Sequence, residues 1–267
     1  MTQSQEQKGG ALSSYQRNTR FTGQVVIVTG AAAGIGREVA LNFAAQDAQV
    51  ILFDINEPGL QETQSSIQRS GGKADIKLCD ISNEQEVTSA IDWTVTTHGK
   101  VDILTNLAGI YGFQLLADFP TDLYHRYIGI NLNGPFFLTR AVLPHMQKAG
   151  YGRIIHTSST GYADPKPGLT AYVASKAAVI GLVRSAAMEA GPGVTINAVM
   201  PGVIDTDQAR SLDGFEALCK MTIERQAVKR QGHAADIAHA VSFIASAEAS
   251  FFSGQVFNCS GGGTFSF

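Results

Sequence analysis

Tyr172 and Lys176 stand four residues apart in Ala171-Tyr-Val-Ala-Ser-Lys-Ala-Ala-Val, a spacing that sets both side chains on one face of a helix. A phenol titrating near ~10 is a poor base at neutral pH, but an ammonium one turn away favours its ionised form. Such a pair can accept the proton of an alcohol and return it in the reverse direction. The same spacing also occurs in helices where a packed Tyr lies beside a solvated Lys, so the neighbours decide. Thirteen residues before the tyrosine comes Thr157-Ser158-Ser159. A hydroxyl there could bond a substrate oxygen and the charge that develops on it. By residue type either serine would serve, and a Ser-Ser pair can equally be no more than the start of a loop.

A second constellation lies near the N-terminus, where Thr29-Gly30-Ala31-Ala32-Ala33-Gly34-Ile35-Gly36 follows an apolar run and opens a helical pattern. A helix N-terminus presents unpaired N–H groups and a partial positive charge, and glycines let a phosphate approach. Gly30, Ala33, Gly34, Ile35 and Gly36 are therefore candidates to cradle a dinucleotide pyrophosphate, against the plainer reading of a tight turn packed on a sheet. Asp54, eighteen residues past Gly36 and followed by Ile55, has the spacing of a ribose-binding acid. A carboxylate there repels the extra phosphate of NADP, so NAD is favoured and NADP disfavoured. Arg37 is the one residue that could compensate, although an ion-paired surface Arg is commoner. Asp80, followed by Ile81, either holds an adenine amino group or makes a turn in Asp80-Ile81-Ser82-Asn83; both readings stand. An oxidised nicotinamide, being cationic, would further favour the tyrosinate.

The elements that must position these groups are legible as alternating short apolar runs and longer amphipathic segments. Strands are expected at Val25 to Thr29, Gln49 to Phe53, Asp75 to Leu78, Ile103 to Asn106, Arg153 to Thr157, Thr195 to Val199 and Gln255 to Cys259. Helices are expected at Ile35 to Ala45, Gly59 to Arg69, Glu84 to Thr97, Leu123 to Gln147, Tyr172 to Glu189 and Ala235 to Ser246. Ser82 with Gln85 reads as a capping box, and Gly71-Gly72 as a helix stop. The stretch from Asp207 to Gln231 offers helical fragments without a strand partner and reads as a substrate lid. The first twenty residues read as a flexible tail. One α/β domain over 21–267, a doubly wound Rossmann-type fold on a seven-stranded parallel sheet, accounts for this pattern.

Composition narrows the function classes. A net charge of -3 without a Lys/Arg cluster leaves no electrostatic footprint for nucleic acid. No apolar signal core and no run of about eighteen apolar residues is evident, so a membrane span is not expected. Three scattered cysteines, Cys79, Cys219 and Cys259, suit reduced thiols in the cytoplasm. The six histidines lack partners at metal-ligand spacing, so no metal is expected; His156 reads as a structural strand histidine. Tyr111, Phe113, Tyr162, Phe215 and Met221 flank the expected pocket and suggest an apolar substrate body. Lys166 and Arg210 could meet a substrate carboxylate.

The glycine turn, Asp54, Asn106-Leu107-Ala108-Gly109, Asn131, Ser159, Tyr172, Lys176 and Pro201-Gly202-Val203-Ile204-Asp205-Thr206 stand in the order and rough spacing of the short-chain dehydrogenase/reductases, which the chain resembles from about Phe21 onward. The resemblance implies Tyr172 as acid/base, Lys176 as its pKa-lowering partner and nicotinamide-ribose ligand, Ser159 as the substrate-orienting hydroxyl, and Asn131 as the holder of a proton-relay water. It implies cofactor contacts at Asn106, Ala108, Gly109, Pro201, Gly202, the Ile204 backbone and the Thr206 hydroxyl. Leu107 departs from the family, which usually has a second Asn there. The resemblance also implies a small-molecule substrate and a homotetramer or homodimer, with a hydride moved between NAD(H) and a secondary alcohol or ketone: a cyclic alcohol, diol or hydroxysteroid. Two rivals use the same fold: a 3-oxoacyl-thioester ketoreductase, which Asp54 argues against, and a non-catalytic NAD(H)-sensing protein, which has little need of the four catalytic residues together.

Overall fold

The computed structural model describes Tyr15, residues 18–211 and residues 213–265. Strand β1 (Val25–Thr29) has every residue buried, and its side chains alternate between two cores. Val26 and Val28 join one cluster, Val25 and Ile27 the other, as the two-residue period of a strand requires. Burial of such a Val or Ile contributes about 1.5–3 kcal/mol. Pairing with β2 (Gln49–Asp54), β3 (Lys73–Leu78), β4 (Ile103–Asn106), β5 (Gly152–Thr157), β6 (Val194–Pro201) and, after a two-stranded pair described below, β9 (Val256–Cys259) is parallel throughout. The order is β3-β2-β1-β4-β5-β6-β9. The chain winds outward from β1 to β3 and then resumes at β4 on the other side of β1, so the switch point lies between β1 and β4. Ligands bind at the strand C-termini of such a switch.

One face is covered by α1 (Gly34–Ala45) and α2 (Glu57–Arg69), with α9 (Ala234–Ala245) beside α1; the other by α3 (Glu84–His98), α5 (Gly134–Ala149) and α6 (Thr170–Glu189). α6 is apolar and long enough to cross a membrane by composition, with a mean hydropathy of 1.2, more than the sequence reading allowed. Its Val179 and Val183 are nonetheless fully buried in the second core.

Three expectations are corrected. The single helix expected over Leu123 to Gln147 is α4 (Thr121–Ile128), a widened π turn over Gly129–Asn133, and α5. Pro135 has no N–H to give the carbonyl four residues back, that of Asn131, and Gly129 and Gly134 weaken the flanks. The α3 cap is Asn83 rather than Ser82. Its Oδ1 accepts from the amides of Gln85 and Glu86 at 3.0 and 3.3 Å. The segment over 207–231 carries two helices, α7 (Asp207–Arg210) and α8 (Phe215–Arg225), in line with the helical fragments read there. Just outside it β7 (Ile204–Asp205) pairs with β8 (Gly232–His233), strands too short to show periodicity. The expected N-terminal tail lies largely outside the described residues, but Tyr15 within it is packed: its hydroxyl donates to Glu38 at 2.7 Å and its ring meets His239 edge-on.

Candidate active site

A cleft of about 690 Å³ opens over the strand C-termini. The glycine turn forms one end. Gly30 and Gly34 have φ of +67 and +53, the left-handed region that favours glycine. At Gly36 a Cβ would meet the Gly30 carbonyl oxygen at 2.0 Å, so α1 can follow β1 this closely only without a side chain. The Ala33 cap gives α1 no side-chain partner, and its first turn has no acid. Its leading amides are free for an anion, and the turn fits a pyrophosphate.

Asp54, at the end of β2, is oriented by two backbone amides, Ala32 to Oδ2 at 3.1 Å and Asn56 to Oδ1 at 3.0 Å. Arg37 does not compensate its charge toward a phosphate. The guanidinium donates to the Ala32 carbonyl (2.6 Å), Glu62 (2.8 Å) and Thr63 (3.1 Å). Asp80 lines the cleft and also makes the turn, accepting from the amide and hydroxyl of Ser82 at 2.9 and 2.7 Å.

Lys176, Ser175, Val179 and Val183 share the buried side of α6, so the helix carries Lys176 beneath the cleft floor. Its Nζ donates to the Thr157 carbonyl at 2.9 Å and lies 5.9 Å from the Tyr172 ring centroid. Burial pushes the lysine down to about 8. Burial also drives Tyr172 up to about 12, opposed by a hydrogen bond with Ser159. Desolvation therefore dominates at Tyr172, and the opposing influence is the Ser159 hydrogen bond rather than the expected lowering by Lys176. Ser159 is the serine that meets Tyr172. Ser158 is buried and donates instead to the Lys176 carbonyl at 2.8 Å.

Ile55, Ile81, Ala108, Gly109, Pro201, Gly202, Ile204 and Thr206 line the cleft as expected. Asn106 and Asn131 do not. Asn106 is buried below it, where Oδ1 accepts from the Thr29 hydroxyl at 2.5 Å and ties β1 to β4. Asn131, in the π turn, is fully buried and clamps Ile110: Oδ1 accepts its amide and Nδ2 donates to its carbonyl, both at 2.9 Å, while Nδ2 also donates to Ser175 at 3.1 Å. Gly109 makes this convergence possible, since a Cβ would sit 3.1 Å from Asn131 Oδ1 and 3.2 Å from Lys176 Nζ. His156, behind the site, contacts Thr139 at 2.7 Å and is held neutral, pushed down to about 3 by burial.

Tyr111, Phe113, Phe215 and Met221 line the cleft, and Tyr162 does not. Lys166 lines it. Arg210 does not, because Asp205 binds it at 2.7 and 2.9 Å. Sequence reading missed two features. Ser260, Gly263 and Thr264 line the cleft from the loop after β9, where the signal was only a glycine run. The Gln114 amide also donates to the Gly168 carbonyl at 2.9 Å, joining two substrate-side loops. Gly168 has φ of +83 and packs against Phe113, so a conspicuous loop glycine was the available clue.

Residues 30–264 match the family described as enoyl-(acyl carrier protein) reductase. The chain is 38% identical over 247 residues to 7alpha-hydroxysteroid dehydrogenase of Escherichia coli (strain K12), covering 92% of this chain and 96% of that protein. It is 34% identical over 244 residues to 3-oxoacyl-(acyl-carrier-protein) reductase of Thermotoga maritima, covering 91% and 98%. Among solved structures, 7 alpha-hydroxysteroid dehydrogenase complexed with NADH and 7-oxo glycochenodeoxycholic acid superposes with a TM-score of 0.88 at 37% identity, covering 92% and 96%.

Proposed function

The chain belongs to the short-chain dehydrogenase/reductase family and is an alcohol dehydrogenase/ketoreductase, and from that premise we propose that it uses NAD(H) and Tyr172 to interconvert a secondary alcohol and its ketone. The observation that carries this reading is the convergence of Ser159, Tyr172 and Lys176 on one cleft that continues to a glycine turn and an Asp54 carboxylate. NAD, when bound, supplies the hydride acceptor.

This chain's residues do the rest. The α1 amides and glycine turn hold the pyrophosphate, and Asp54 accepts hydrogen bonds from the adenosine ribose hydroxyls. Lys176, one helical turn from Tyr172, would donate to the nicotinamide ribose, and Ile204 and Thr206 would hold the carboxamide. Ser159 donates to the substrate oxygen, and the Tyr172 oxygen takes its proton during oxidation and returns it during reduction. Asn131 acts by position, fixing Ile110 and the α6 face that carries Ser175. The apolar walls exclude water. Asp54 disfavours the thioester-ketoreductase reading, whose enzymes normally take NADPH. Ser159, Tyr172 and Lys176 on one cleft, with Asn131 positioning their neighbours, disfavour a cofactor sensor. Three free cysteines suit a reducing cytoplasm.

The test is a panel of cyclic and linear secondary alcohols assayed with NAD and NADP. NAD-linked oxidation of cyclic alcohols is expected, with Asp54→Ala losing roughly 10- to 100-fold in kcat/KM for NAD, the worth of a charged hydrogen bond, and gaining with NADP. Equal use of both cofactors by the wild type would overturn the NAD assignment.

A further inference from the structure

The outer rim of the cleft carries charges that proton and hydride transfer do not need. Asp164 and Lys166 lie on the loop between β5 and α6, and Arg225 ends α8. Lys166 Nζ donates to both oxygens of Asp164 at 2.9 Å, and Arg225 donates across the cleft mouth to the same carboxylate at 3.3 Å. All three line the cleft. The two cations hold the Asp164 carboxyl below its ordinary value, yet one carboxylate between two cations leaves a positive charge unbalanced. Lys166 and Arg225 stay partly open to solvent, at 35% and 53%, so an incoming group can reach them.

The same cleft presents apolar side chains, Leu169, Phe215, Leu218 and Met221 with Phe113. Beyond this trio the cleft is also lined by Asp54, Asp80, Asp207 and Asp213 and by Arg126 and Lys176, and Asp207 is bound by Arg210 at 3.2 Å, so the positive excess belongs to the Lys166–Asp164–Arg225 cluster and not to the cleft as a whole.

We infer that Lys166 and Arg225 form the recognition site for a remote carboxylate on an apolar ring substrate, with Asp164 occupying that site as an internal stand-in until the substrate arrives. This deepens the proposed function and rests on its placement of the reacting oxygen at Tyr172 and Ser159. A substrate anion replaces Asp164 on one of the two cations, while its ring body lies on these apolar side chains. Polyols have neither the anion nor the apolar body that this arrangement suits.

The experiment measures equilibrium binding by calorimetry, on protein saturated with NADH, of bicyclic decalone carboxylic acids and of their methyl esters. The acid is expected to bind about tenfold tighter, the worth of a charge-assisted bond at a half-open site. In the Lys166→Met/Arg225→Gln double variant the ratio falls to one. In Asp164→Asn, which keeps both cations and removes the competitor, the ratio rises. Had the Asp164 cluster only a structural role in latching the lid, Asp164→Asn would weaken acid and ester alike. That result, equal affinities in the wild type, or no binding of either compound overturns the inference. The reading of Tyr172 fails separately, by turnover in Tyr172→Phe, which leaves this binding ratio untouched.

Discussion

The phenol of Tyr172 is caught between opposing influences. Packing under the cleft wall raises it to about 12, while the Ser159 hydrogen bond draws it down. The nearby ammonium is itself pushed down to about 8 by the same burial. An oxidised nicotinamide adds the missing positive charge and lowers the phenol further. The two directions of reaction then respond oppositely to pH. Alcohol oxidation needs the phenolate, so its kcat rises with pH through a step lying below 12. Ketone reduction needs the neutral phenol and falls through the same step. Lys176→Met moves the step upward, because only the cofactor charge then remains. Steady-state pH profiles in both directions check this, and a flat oxidation profile in the wild type contradicts it.

At the scale of elements, the π turn between α4 and α5 is what brings Asn131 against Ile110. Asn131→Ala leaves the half-buried Ile110 amide and carbonyl without their side-chain partners, at up to about 1–3 kcal/mol in all. A lowered melting temperature together with a lowered kcat is expected; an unchanged melting temperature would show that the clamp contributes nothing. This turn was not legible in sequence. Leu123 to Gln147 has continuous helical periodicity, and a one-residue widening leaves that pattern nearly intact. Pro135 and Gly134 marked the place without stating its form. β1 was legible because Val25-Val-Ile-Val-Thr is apolar on both faces, as a central parallel strand must be. Tyr172, Lys176 and the glycine turn were legible because their chemistry depends on local spacing. The Asp164–Arg225 contact spans 61 residues, and no local pattern encodes it; Arg210, the arginine picked from the lid sequence, is held by Asp205.

Across the whole molecule, several large apolar side chains remain exposed away from the cleft. Met188 on α6 is 88% exposed, Phe251 fully exposed, and Phe136, Phe243 and Phe252 about two-fifths exposed. Phe243 and Phe252 pack at 6.2 Å, and Phe252 and Phe257 at 5.7 Å, so the surface of α9 next to β9 is a continuous aromatic face. Contiguous exposed apolar surface of this kind marks an interface, and the face beside β9 suits the homotetramer or homodimer implied by the family resemblance. Light scattering is expected to report a mass of four chains or of two, and Phe252→Glu to yield a smaller species that still binds NADH. A monomeric wild type would contradict the proposed assembly.

The most direct test of the account is Tyr172→Phe, which removes one oxygen and keeps the ring. NADH affinity, followed by titration of nucleotide fluorescence, is expected to stay within about threefold of wild type, while kcat falls by about 10²- to 10⁴-fold, the usual contribution of a general acid or base. Turnover equal to that of the wild type in this variant would contradict the central claim that Tyr172 exchanges the proton.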